Sequence, residues 1–217
     1  MKKTFLVIGL DRFGITVSEE LVNLGFDVIC LDIKKEAVDK VSQFATDAVI
    51  GDSTNAQVLR EIGANHVDHA IVSIPGNVEN SILTTMILSE MEVPKITVKV
   101  ENEYHAKVAS RVGATDIINS EQSAGRRLAR KLISDSVLDY YDITKDYGIY
   151  ELKVSPTYQT KKLIDLDSRN KYNVNILLII RSGKTLNPHA DSEIFANDTI
   201  IVIAEHKYIH KFENTLK

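Results

Sequence analysis

Gly9, Asp11, Arg12 and Gly14 fall in the stretch "FLVIGLDRFGITVSEEL" (Phe5 to Leu21), between an apolar run and an amphipathic helical pattern. Gly9 permits a sharp turn out of a strand, and Gly14 lets the following helix pack tightly on a sheet. The amides between them gather at a helix N-terminus, whose partial positive charge suits phosphate. Asp32 closes the next apolar run, 23 residues after Gly9, where an acid can hydrogen-bond ribose hydroxyls and would repel the 2′-phosphate of NADP. The spacing is that of G-x-G-x-x-G, with Asp11 in place of the second glycine. That glycine normally lets the backbone approach a pyrophosphate. A carboxylate there crowds the approach, and two unit charges about 4 Å apart repel by ~4 kcal/mol at an effective dielectric of 20. Three arrangements relieve the conflict: Asp11 turns to solvent, Arg12 neutralises it, or a divalent cation bridges it to phosphate. In each, the amides and the helix terminus remain for an adenosine-containing nucleotide; the competing reading is a Rossmann-like fold that has lost its ligand.

Other chemistries find less support. The histidines (66, 69, 105, 189, 206 and 210) show no catalytic spacing. His66 and His69 are three apart near a strand start rather than on a helix, which makes a poor metal pair. The single cysteine, Cys30, lies in the apolar run "FDVICLD" and reads as a small buried hydrophobe in a reducing compartment. A net charge of −4 disfavours a general nucleic-acid binder, which carries a basic excess. No apolar stretch approaches the ~18 residues of a membrane span, and the five-residue apolar run before Asp11 is too short for a secretory signal.

The elements that must position these residues alternate. Apolar β-branched runs occur at Phe5–Ile8, Val28–Leu31, Ala48–Ile50, Ala70–Ile74, Ile96–Val100 and Asp116–Ile118. Helical stretches separate them at Gly14–Leu24, Lys35–Gln43, Ala56–Ile62, Val78–Met91 and Tyr104–Val112. This is the pattern of βαβ units, an α/β fold with a Rossmann-like parallel sheet covered on both faces. Lys99 then ends a strand at the C-terminal sheet edge, where open α/β sheets bind ligands; the competing reading is a solvated strand end. "SEQSAGRRLARKLISDSVLDYY" (Ser120 to Tyr141) reads as a further helix with apolar positions Leu128, Leu132, Ile133 and Val137, free to leave its own domain. The polar "DITKDYG" suggests a linker. From Ile149 onward short strands dominate, with a hairpin turn at "RSGKTL" and a last helix near His206–Leu216. The expected division is residues 1–140 as a nucleotide-binding domain with a crossover helix, 141–148 as linker, and 149–217 as a small α+β domain. The small domain is of a size that gains from pairing with a copy of itself.

The segments "VIGLDRFG", "LDIKKEAV", "VIGDSTNAQVLREIGANHVDHAIVSI" and "TVKVENEYHAKVASRVGATDIINSEQSAGRRLA" together resemble the RCK (KTN) domain, regulator of K⁺ conductance. The resemblance is to the KtrA/TrkA class of cytosolic regulatory subunits of potassium transporters, and the small domain resembles RCK_C (TrkA_C). It implies that Gly9, Asp11, Arg12, Phe13 and Gly14 form a phosphate turn, with Arg12 reaching the terminal phosphates of ATP or those of a neighbouring subunit's nucleotide. It further implies that Asp32 holds ribose, Asp52 and Ser53 flank adenine, and Lys99 sits near the nucleotide. Glu121 resembles the family's carboxylate for a divalent cation, Mg or Ca; alternatively it is a first-turn carboxylate favoured by the helix dipole. In the small domain the resemblance places Leu163, Ile164, Asp167, Arg169, Asn175, Ile176 and Pro188 around cyclic di-AMP at a two-fold interface. The competing reading is plain core for the aliphatic residues and a surface ion pair for Arg169. His189 is either a ligand contact or a solvated turn residue.

As implied by the resemblance, the protein is not an enzyme. It is a cytoplasmic gating subunit binding ATP or ADP, with NAD(H) as a competing ligand, and forming a homodimer that assembles into an octameric ring. The ring would sit at the inner face of the membrane on a KtrB/TrkH-like potassium channel subunit. Two alternatives remain. A nicotinamide-dependent oxidoreductase needs an acid/base and a larger substrate domain. A redox-sensing Rossmann repressor needs a helix-turn-helix and a basic face.

Overall fold

The computed structural model describes residues 2–133 and 136–217, which divide into two compact units, 1–120 and 121–217. In the first unit β1 (Thr4–Ile8), α1 (Arg12–Asn23), β2 (Asp27–Asp32), α2 (Lys35–Val41), β3 (Asp47–Ile50) and α3 (Ala56–Glu61) are followed by β4 (His69–Val72), α4 (Val78–Glu90), β5 (Ile96–Lys99), α5 (Glu103–Arg111) and β6 (Asp116–Ile118). The six strands form one parallel sheet in the order β3-β2-β1-β4-β5-β6. Chain direction across the sheet reverses between β1 and β4, which makes that pair the topological switch point.

The strands read as continuous apolar runs because both of their faces are covered. Leu6 and Ile8 of β1 join Leu31, Leu59, Val72, Leu88 and Val98 in one core cluster. Val7, between them, turns to the other face with Val28, Cys30, Val38, Val41 and Ile71. This is the period-2 alternation of a strand serving two cores. Cys30 is fully buried, and burial pushes its thiol pKa up, in keeping with a packing role.

The helix after β6, α6 (Ser120–Ile133), is shorter than its apolar spacing suggests. Residues 137–141, expected as its last turns, belong instead to strand β7 (Val137–Asp142), paired antiparallel with β8 (Tyr147–Lys153). The polar stretch read as a linker is therefore the connection of a hairpin. "VLDYYD" has the β-branched and aromatic composition of a strand, and Val137 matched the helical spacing of Leu128 and Leu132 only by coincidence. The side chain of Ile133 lies outside the described residues.

The second unit continues with β9 (Lys161–Lys162), α7 (Leu163–Leu166), α8 (Ser168–Tyr172), β10 (Val174–Arg181), β11 (Lys184–Leu186), β12 (Glu193–Ile194), β13 (Thr199–Glu205) and α9 (His206–Glu213). Its main sheet is antiparallel in the order β11-β10-β13-β8-β7, with β12 and β9 as a separate short pair. Val174, Ile179, Ile200, Val202, Leu152 and Phe212 form its core. Ser182 (φ 49°) and Gly183 (φ 76°) make the two-residue β10–β11 turn, whose paired positive φ values match the right-handed twist of a hairpin.

Candidate functional site

A cleft of about 250 Å³ opens at the C-terminal ends of β1, β2 and β4, where the switch-point rule puts a ligand. Gly9, Asp11, Asp32, Asp52 and Ser53 line it, all expected from the sequence. Gly9 has φ +86°, and a Cβ there would lie 1.9 Å from the Ser73 carbonyl oxygen. The turn therefore requires glycine both for its backbone conformation and for its close approach to β4.

Asp32 is anchored through both carboxylate oxygens. The Leu10 amide donates to Oδ2 (2.6 Å) and the Lys34 amide to Oδ1 (2.8 Å). These bonds fix the carboxylate at the cleft wall with acceptor capacity left for vicinal hydroxyls. Asp52 Oδ1 accepts from the hydroxyl (2.7 Å) and amide (2.9 Å) of Thr54, which hold its carboxyl below the usual carboxylate range. Ser53 is buried and shares a 2.8 Å hydrogen bond with the Thr84 hydroxyl of α4.

Asp11 neither turns to solvent nor pairs with Arg12. It is the N-cap of α1, with Oδ1 accepting from the Gly14 amide (2.9 Å) and from the Ser73 hydroxyl (2.8 Å). Its other oxygen lies 3.0 Å from the Lys99 ammonium. The counter-charge is thus supplied by Lys99, from the far end of β5, and not by Arg12. Aspartate is a favoured N-cap residue, so the substitution that opposes phosphate also begins the helix well. Lys99 additionally stacks over the Phe13 ring, 5.5 Å from its centroid.

Arg12 is exposed at the start of α1, Phe13 packs into the second core cluster, and Gly14 is buried against the Gly9 carbonyl. None of these three belongs to the cleft wall, and Lys99 meets the wall through Asp11. Lys34, Ile74, Pro75, Asn77 and Asn80 line the cleft and escaped sequence reading. The usable signal was positional: "SIPGN" directly follows the strand beside β1. Glu121 is an exposed first-turn carboxylate of α6. Among the described residues no group of three or more metal-ligating side chains comes together.

A second cleft, of about 380 Å³, lies in the second unit. Leu163, Ile164, Asp167, Arg169, Ile176 and Pro188 line it, together with His189. Asp167 takes a left-handed conformation (φ 49°) at the α7–α8 junction, and its carboxylate accepts from the Asn170 side chain (2.7 Å). Asn175 is the exception and does not line this cleft. It precedes Ile176 on β10, and successive strand residues face opposite sides.

The nucleoside portion of a nucleotide fits the first cleft, which offers apolar Ile8, Leu31, Ile33 and Ile74 beside an anchored Asp32. The fit to phosphate is poorer, because Asp11 occupies part of the cradle.

Residues 5–120 match the TrkA-N domain and residues 149–217 the TrkA-C domain. The chain is 40% identical over 214 residues to the Ktr system potassium uptake protein C of Bacillus subtilis, covering 98% of this chain and 97% of that one. It is 30% identical over 216 residues to the Ktr system potassium uptake protein A of Vibrio alginolyticus, covering 99% and 97%. Among solved structures, a GsuK channel bound to NAD superposes with a TM-score of 0.70 at 14% identity, a likeness of fold. The superposition takes in all of this chain, which spans 40% of that channel's length.

Proposed function

We propose that this chain, which belongs to the family of proteins with paired TrkA-N and TrkA-C domains, is a regulatory subunit of a potassium-uptake system. The observation that carries the reading is its near end-to-end similarity to a Ktr potassium uptake protein at 40% identity. Among the described residues no helix is long and apolar enough to cross a membrane, so ion passage falls to a separate membrane subunit.

In this reading the first cleft takes an adenine nucleotide, ATP, ADP or NAD(H), with Asp32 on the ribose and Asp52 and Ser53 near the base. Arg12, exposed beside the cleft, reaches the terminal phosphates of its own or a neighbour's nucleotide, and Glu121 helps hold a divalent cation there. The second cleft takes cyclic di-AMP, with Arg169 for phosphate and Leu163, Ile164 and Ile176 against the bases. The exposed Leu128 and Leu132 of α6 pair two subunits, and dimers close into an octameric ring on the cytoplasmic side of a potassium channel subunit. Ligands that bind one ring geometry better than another shift its population, and that difference is what can gate a channel. The protein works by binding and not by catalysis.

The test is a thermal-shift and sedimentation series on the purified chain with ATP, ADP, NADH and cyclic di-AMP. The expected result is an oligomer at micromolar concentration whose melting temperature rises with an adenine nucleotide and, separately, with cyclic di-AMP. A monomer indifferent to all four ligands contradicts the proposal.

A further inference from the structure

Resting on the reading that the first cleft takes an adenine nucleotide, we infer that Asp11 sets the preference of that cleft by ligand charge. The protein's own carboxylate already uses the Gly14 amide, the Ser73 hydroxyl and the Lys99 ammonium, at 2.9, 2.8 and 3.0 Å. These are the groups a phosphate at the start of α1 would need, so the cradle holds a built-in anion in the place of a ligand's.

The surrounding charge points the same way. Three carboxylates, Asp11, Asp32 and Asp52, line the cleft against one ammonium, Lys34. Lys99 lies behind the wall, only 14% exposed and already bonded to Asp11. Each further phosphate on an adenosine therefore adds charge to a wall that is already net acidic. Arg12 is exposed and outside this wall, so without a divalent cation the wall charge dominates: the cleft selects adenine ligands of low charge, and AMP binds more tightly than ADP, which binds more tightly than ATP. A phosphate turn with glycine in this position has no such internal competitor, so its affinity can rise with phosphate number.

Asp11→Asn tests the charge while keeping the side-chain shape and a favoured N-cap residue. Calorimetric titration of adenosine, AMP, ADP and ATP without divalent cation is carried out on the wild-type chain and on the variant. The expected outcome is a descending ladder from AMP to ATP in the wild type. In Asp11→Asn, ATP tightens by roughly tenfold while adenosine stays within about twofold, as expected when one nearby charge is removed from a screened site. The unaltered protein supplies a second measurement, because raising ionic strength screens the repulsion and should narrow the gap between ATP and AMP. Identical ladders in the two proteins, or a wild-type affinity that climbs with each phosphate, overturn the inference and leave the nucleotide reading intact. If neither protein binds any of the four ligands, adenosine included, the nucleotide reading itself falls and takes the inference with it.

Discussion

Lys99 Nζ sits 3.0 Å from Asp11 Oδ2, tying the end of β5 to the turn after β1 across 88 residues of sequence. The two side chains are 14% and 18% exposed, so solvent compensates poorly for the loss of either. Lys99→Met should lower stability by about 2 kcal/mol, because removing one partner leaves a charge with little water around it. Adding Asp11→Asn should restore part of that loss. Denaturant unfolding of the two single variants and the double variant closes the cycle. Full additivity would show that the pair is not coupled.

Gly9→Ala should cost about 3 kcal/mol or more, combining a positive φ of 86° with a methyl group 1.9 Å from the Ser73 carbonyl oxygen. The measurement is the shift in unfolding midpoint. An unchanged midpoint would mean that β1 and β4 are not held as closely as described.

His105 links pH to stability. It is buried, its Nε2 faces the Ser81 hydroxyl at 3.2 Å, and its Nδ1 accepts from the Glu101 amide. Burial is the main cause of its lowered pKa. The unfolded chain therefore binds the proton more readily than the folded one. The contribution is fully present above the ordinary histidine value near ~6.5 and is lost as pH falls below it toward the lower folded-state pKa. Melting temperatures from pH 8 to pH 5 should fall for the wild type and fall less steeply for His105→Gln. The residual slope belongs partly to His69, which burial also shifts downward.

In the second unit, Arg169 lines the cleft and Asn175 does not. If the second cleft takes cyclic di-AMP as proposed, Arg169→Ala should weaken its binding by at least about tenfold, the loss expected for a charge-assisted phosphate contact. Asn175→Ala should change it by less than about threefold, a small effect for a residue outside the wall. Equilibrium titration of the full chain separates the two, and the reverse order would relocate the ligand.

Leu128 is 56% exposed and Leu132 76% exposed, one turn apart on α6. If α6 pairs subunits as proposed, replacing both with Glu should leave far-UV circular dichroism unchanged while converting the proposed oligomer to a smaller species in sedimentation. An unaltered sedimentation coefficient would assign the subunit interface to another surface.

The first unit was largely legible in the sequence because its strands are apolar on both faces and its turns carry glycine or a capping residue. Asn55, Asn77 and Asn102 each accept from an amide of the helix that they begin, and such local signals survive without tertiary context. The second unit was harder to read. The two-residue strands β9 and β12 and the short helices α7 and α8 exist through packing and carry almost no periodicity of their own. In the cleft, Gly9 and Asp32 are announced by spacing, whereas Ser73 and Lys99 reach Asp11 only through the strand order. No local rule reveals that a lysine 88 residues away will answer the charge of the turn.

Cys30 is the one cysteine of the chain and is fully buried on β2. Its sulfur becomes available to a thiol reagent only when the surrounding β-sheet opens. The labelling rate of the untouched protein therefore reports the opening of the first unit, since residues 121–217 carry no cysteine. Measured with and without nucleotide, that rate reads ligand binding at the first cleft as slowed modification, with no engineered probe.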